Sequence, residues 1–68
     1  MIDTNELRGI IAKRGTSQRQ VAAKLGITQD TFYRKMKKGV FDSDEINEMI
    51  QILDIKDPVS IFFTDKVT

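Results

Sequence analysis

Sixty-eight residues make a single domain, near the lower limit at which a hydrophobic core alone keeps a chain folded. The chain has no cysteine and no histidine, which removes disulfides, thiolate metal sites, the usual general base and the commonest metal ligand. The net charge of +1 is unevenly divided: residues 1–38 hold nine Lys and Arg against three acids, +6, whereas residues 39–68 hold two Lys against seven acids, −5, as if one face were meant for a polyanion and another turned away from it.

The first helix is expected from Thr4 to about Arg14. Asp3 is a suitable N-cap with Glu6 closing a capping box, and Leu7, Ile10 and Ile11 form the buried stripe. Lys13 and Arg14 complement the dipole of the last turn, and Gly15 offers the left-handed exit. Gly9 in mid-helix costs about 1 kcal/mol against Ala, which close approach of a neighbouring helix would explain. The second helix is expected over Gln18 to Leu25, with Ser17 as N-cap, Gln20 as its box partner, and Val21, Ala22 and Leu25 on one face. Gly26 ends it, and Ile27 plugs the core inside the turn.

The third helix starts after Thr28 and runs through about Lys37, with Gly39 as its stop. Phe32 and Met36 are its only large apolar side chains apart from Tyr33, so a narrow stripe pins it and the rest of its surface is left for water or a ligand. The fourth helix begins at Asp42, with Glu45 closing the box and Phe41 stapling against Ile46; Ile46, Met49, Ile50 and Leu53 keep the helical period, and Asp44 and Glu48 make its outer face acidic. Asp57-Pro58 reads as the N-cap and first residue of a short fifth helix reaching about Phe62, with residues 64–68 as a tail. The expected fold is therefore all-α, a five-helix bundle built around a helix-turn-helix at about residues 17–38.

A compact helix-turn-helix with a polar, basic second helix fits the DNA major groove. Gln29, in the first turn of the third helix, carries an amide that both donates and accepts, which suits adenine; Arg34 suits guanine O6 and N7; Asp30 can accept from cytosine N4; and Tyr33 can lie on the sugar-phosphate edge or a thymine methyl. Each has a duller reading. Asp30 sits where the helix dipole favours an acid, and Asp30 and Arg34, at i and i+4, suit pairing with each other for roughly 0.2–0.5 kcal/mol. Tyr33 is equally a half-buried structural tyrosine. For phosphate, Ser17 and Gln18 open the second helix, whose N–H groups and dipole favour an anion. Thr28 and Thr31 add hydroxyls, Thr28 chiefly as a cap, and Arg19, Lys37 and Lys38 add charge. Any one of these cations taken alone reads as a solvated surface residue; the cluster is harder to dismiss.

Other classes find less support. There is no glycine-rich phosphate loop and no convincing carboxylate pair, so no enzyme activity, cofactor, metal or small-molecule ligand is expected. Asp42, Asp44 and Glu45 lack calcium-loop spacing and are better explained as helix capping. No apolar run approaches the roughly 20 residues of a membrane span, and no helix combines a basic face with a broad apolar one. The residues around Asp3 and Glu6 do not look like a signal peptide, and the lack of cysteine fits a cytoplasmic setting.

Ser17 to Met36, SQRQVAAKLGITQDTFYRKM, resembles the Cro/repressor type of helix-turn-helix, the lambda-repressor-like or Xre family of phages and bacteria. The matching residues are Gln18, Val21-Ala22, Leu25-Gly26-Ile27, Thr28-Gln29 and Phe32, and the continuation from Phe41 to Phe63 is similar to small phage Cro-like regulators. The resemblance covers about residues 5–63. It implies a five-helix bundle, a dimer on a palindromic double-stranded operator, and repression by occupying a promoter. It also implies that Gln18 contacts a phosphate and braces Gln29, which touches a base. The family usually carries an apolar residue where Lys35 stands; here Met36 takes that burial, which leaves the rotation of the third helix open. Val59, Ile61, Phe62, Phe63 and Val67 are more apolar than a tail requires: some close the bundle, and the rest suit a two-fold interface. The alternative is a protein-interaction module that modulates another repressor through the acidic half.

Overall fold

The computed structural model describes residues 2–63; helices are the only regular secondary structure among them, with no strand. Five helices follow in order: α1 (Thr4–Lys13), α2 (Gln18–Leu25), α3 (Gln29–Lys38), α4 (Ser43–Ile52) and α5 (Pro58–Phe62). The expected elements are present within a residue of their predicted bounds, and the reason lies in their ends. Asp3 accepts from the Glu6 amide at 3.1 Å, Ser17 from Gln20 at 3.2 Å, and Thr28 from Thr31 at 3.1 Å, each satisfying a donor that the helix cannot. At Asp42 the box is reciprocal, with its own N–H donating to Glu45 Oε1 at 2.8 Å. Gln20 does not close its box; its Oε1 accepts from Thr16 Oγ1 at 2.8 Å instead. Asp57 occupies the cap position of α5 but makes no side-chain cap bond.

Two left-handed glycines reverse the chain on either side of α3: Gly26 with φ 76° and Gly39 with φ 71°. A side chain at either would strain the turn. Gly9 is different. It lies in the middle of α1, it is exposed, and no atom of another element lies within 4 Å of where its Cβ would be. Close helix approach therefore does not account for it.

The core gathers one stripe from every helix: Leu7 and Ile11 of α1, Val21 and Ala22 of α2, Phe32 and Met36 of α3, Met49 of α4, and Ile61 and Phe62 of α5. Helix α2 packs on both α3 and α4, and α1 packs on α5. Phe41, just before α4, is buried with its ring centroid 5.4 Å from that of Phe32, so the α3–α4 connection is tied into the α3 stripe; Ile46 packs half-buried against the same cluster. Ile27 packs against the core from inside the α2–α3 turn, as expected. Ile2 and Ile55 join the core from non-helical segments, a contribution that no periodic pattern announces. The Asp3 amide donates to the Ile61 carbonyl at 2.7 Å, holding the segment before α1 against α5.

Arg14 corrects an expectation. It is the C-cap of α1, but its guanidinium reaches across the fold: Nε donates to the Leu53 carbonyl at 2.8 Å and Nη2 to the Asp54 carbonyl at 3.1 Å. It thus satisfies carbonyls at the C-terminal end of α4, where a cation also meets the negative pole of the dipole, and Asp54 there takes a left-handed turn with φ 51°. Two stability outcomes are expected from chemical denaturation. Gly9→Ala should stabilise the fold by about 0.5–1 kcal/mol, because it adds helix propensity into open space. Arg14→Ala should cost about 1–3 kcal/mol, because two charge-assisted bonds go and two carbonyls lose their partner.

Candidate nucleic-acid interface

Helix α3 is anchored by Phe32 and Met36, 0% and 3% exposed, and projects nearly everything else. Gln29, Asp30, Tyr33, Arg34, Lys37 and Lys38 are all exposed, and Thr31 is half-buried. The four residues expected to read bases therefore lie together, within a turn and a half of the N-terminal end of the helix. The pairing that would have consumed two of them is absent: Asp30 and Arg34 form no ion pair with each other. Tyr33 lies on the surface with 46% of its area exposed.

Hydrogen bonds within this face set what it can offer. Gln29 Nε2 donates to Tyr33 Oη at 2.8 Å, one helical turn away. That contact orients the amide and leaves Oε1 as an acceptor, one Nε2–H as a donor and the tyrosine hydroxyl proton as a second donor. The resemblance implied a brace from Gln18, but Gln29 is held by a neighbour on its own helix. Gln18 is half-buried at the start of α2. Thr28 Oγ1 accepts the Thr31 amide and donates its proton to Thr31 Oγ1 at 2.8 Å. The Thr28 hydroxyl proton is thus committed internally, and the one left free to donate outward is that of Thr31. Ser17 Oγ is occupied as an acceptor by the Gln20 amide but keeps its proton.

The basic half of the chain divides in the same way. Arg14 is engaged at the end of α4, and Lys35 is engaged at its beginning. Lys35 Nζ lies 2.7 Å from both Glu45 oxygens and 3.5 Å from Asp42 Oδ2. Arg19, Arg34, Lys37 and Lys38 stay exposed on α2 and α3. Beside them a groove of about 260 Å³ is lined by Thr31, Arg34, Lys35, Lys38, Val40 and Asp42, with Val40 64% exposed. Neither Lys35 nor Val40 was singled out by the sequence as part of this face. Lys35 meets acids seven and ten positions away across a turn, and no spacing rule for a single helix reaches that far.

Of the apolar residues considered for a two-fold interface, Ile61 and Phe62 are buried in the core and Val59 and Phe63 are exposed, while Val67 lies outside the described residues. Among the described residues no helix is long and apolar enough to cross a membrane, and no group of three or more metal-ligating side chains comes together. No family model, curated protein or solved structure matches the chain.

The hydrogen bond to Glu45, helped by the charges of Glu45 and Asp42 and partly opposed by desolvation, raises the Lys35 pKa above its ordinary value. A lysine whose folded pKa exceeds its unfolded one stabilises fully below the unfolded value, and that stabilisation disappears as pH rises through the folded one. The difference in denaturation midpoint between wild type and Lys35→Met is therefore expected to be level at neutral pH and to shrink above about pH 10.4, the ordinary lysine value. A difference that persists unchanged through that alkaline range would mean that the ion pair contributes nothing.

Proposed function

We propose that this chain is a sequence-specific double-stranded DNA-binding regulator with a lambda-repressor-like helix-turn-helix formed by α2 and α3. The observation that carries the reading is the division of α3: two buried anchors, and an exposed face bearing Gln29, Asp30, Tyr33 and Arg34 with Lys37 and Lys38 at its C-terminal end. Helix α3 enters the major groove, Gln29 takes adenine and Arg34 takes guanine, with Asp30 and Tyr33 at neighbouring base edges. Ser17, Gln18 and Arg19 at the start of α2, and Thr31, Lys37 and Lys38 on α3, hold phosphates, whereas Thr28 serves the turn. The acidic outer residues of α4, Asp44 and Glu48, belong to a different helix from this face, which suits a molecule that approaches a polyanion from one side.

One such helix reads few base pairs, so useful specificity calls for a second copy about one helical turn away. A homodimer on a palindromic operator meets that need, with Val59 and Phe63 as the exposed apolar contributors. Repression follows from occupying a promoter, and a Cro-like regulator of a phage or prophage acting in the bacterial cytoplasm is the setting that the resemblance of Ser17 to Met36 suggests.

Selection of duplexes from a random pool, followed by anisotropy titration of the selected duplex across a salt series, tests the reading. Gln29→Ala and Arg34→Ala are each expected to lose about 1–3 kcal/mol of discrimination at a single base position. Lys38→Ala is expected to weaken binding to all duplexes alike and to lower the log–log salt slope by about one. If no duplex is enriched, or if the first two variants bind as wild type does, the acidic half becomes the functional surface and the chain a protein-interaction module.

A further inference from the structure

We propose that Lys35 is a positioning residue for the reading face of α3: gripped at the N-terminal end of α4, it fixes the rotation of α3 and takes no part in holding phosphate. The inference rests on the DNA reading above.

Two apolar anchors one turn apart, Phe32 and Met36, set how deeply α3 sits, but a stripe this narrow does little to stop the helix from rolling about its axis. Lys35 supplies the missing restraint from the flank. Its side chain is 25% exposed, and that of Glu45 only 12%. The Glu45 carboxylate is itself fixed, because Oε1 also accepts the Asp42 N–H at 2.8 Å in the capping box of α4. One carboxylate therefore joins the start of α4 to the middle of α3. Both Glu45 oxygens lie 2.7 Å from the Lys35 ammonium and Asp42 Oδ2 lies 3.5 Å away, so the group is turned toward these two carboxylates and away from an outside anion. The charge of Lys35 is likewise balanced by Glu45 and Asp42, so it adds little to the pull on a phosphate. The groove next to it keeps Arg34, Lys38 and the Thr31 hydroxyl for that purpose.

This division separates Lys35 from Lys38, which is three residues away on the same helix. Anisotropy titrations of the selected duplex, and of the same duplex altered at one base, would be run across a salt series with Lys35→Met, Lys35→Arg, Glu45→Gln and Lys38→Ala, with helicity followed by circular dichroism. Lys35→Met should bind at least tenfold more weakly and discriminate several-fold less between the two duplexes, with the salt slope unchanged. Lys35→Arg should restore binding to within a few-fold, since a guanidinium also pairs with a carboxylate. Glu45→Gln can keep the cap bond to Asp42 yet loosen the grip on Lys35; it should weaken binding although it removes a negative charge, and it serves where Lys35→Met does not fold. A salt slope lowered by about one in Lys35→Met, or tighter binding by Glu45→Gln, overturns the assignment and makes Lys35 a phosphate contact or an idle surface charge. Wild-type protein that binds no duplex at any salt overturns the DNA reading itself, and this inference with it.

Discussion

The burial of Phe32 is the constraint on which the rest of the molecule depends. Its ring is fully enclosed, tilted against Phe41 from the segment before α4, in a core that also holds the α2 stripe of Val21 and Ala22. Removing a side chain of this size from a core typically costs about 3–5 kcal/mol, a large fraction of the stability available to so small a domain. Because Phe32 and Met36 carry nearly all the apolar anchorage of α3, the helix buries only one edge. The exposure of its polar residues is a consequence of that economy of hydrophobic side chains, and a wider stripe would have buried part of that polar face.

The surface of α3 is not a row of free side chains. Gln29 is tied to Tyr33, Thr28 to Thr31, and Lys35 to Glu45, each by a contact of 2.7–2.8 Å. Ordering such groups before a ligand arrives lowers the entropy lost on binding, and it selects which donors and acceptors point outward. Arg34, Lys37 and Lys38 lack such ties and remain free to adjust to a backbone of varying shape. The helix thus combines a more ordered N-terminal end, suited to hydrogen-bond geometry, with a looser basic end, suited to charge.

How much of this was readable in the sequence follows from the range of each interaction. Helix ends set by residues three positions apart were readable: Ser17, Thr28 and Asp42 each cap the helix that they precede, and Gly26 and Gly39 stop the preceding one in left-handed geometry. Periodic stripes were readable for the same local reason, and with them the exposure of Gln29, Asp30 and Arg34. What escaped is what crosses the fold. Ile2 and Ile55 are lone apolar residues in loops, and only tertiary packing marks them as core. Arg14 looked like a dipole partner for its own helix and serves another. Lys35 stood out only as a charge where the resembled family carries an apolar residue, and its partners stand beyond a turn. The apolar C-terminal residues could be sorted into Ile61 and Phe62 inside and Val59 and Phe63 outside only once the position of α5 was known.

The guanidinium of Arg14 has a consequence for how the molecule breathes. Its bond to Leu53 joins positions 39 residues apart and closes a loop that contains α2, α3 and α4. The last turn of α4 cannot fray alone without releasing a donor from α1, and α1 is held through Asp3 and Ile61 to α5. Fraying of the last turn of α4 therefore loses the Arg14 contacts along with its own helical bonds, so its backbone amides should exchange with solvent more slowly than those of a helix end without such a partner.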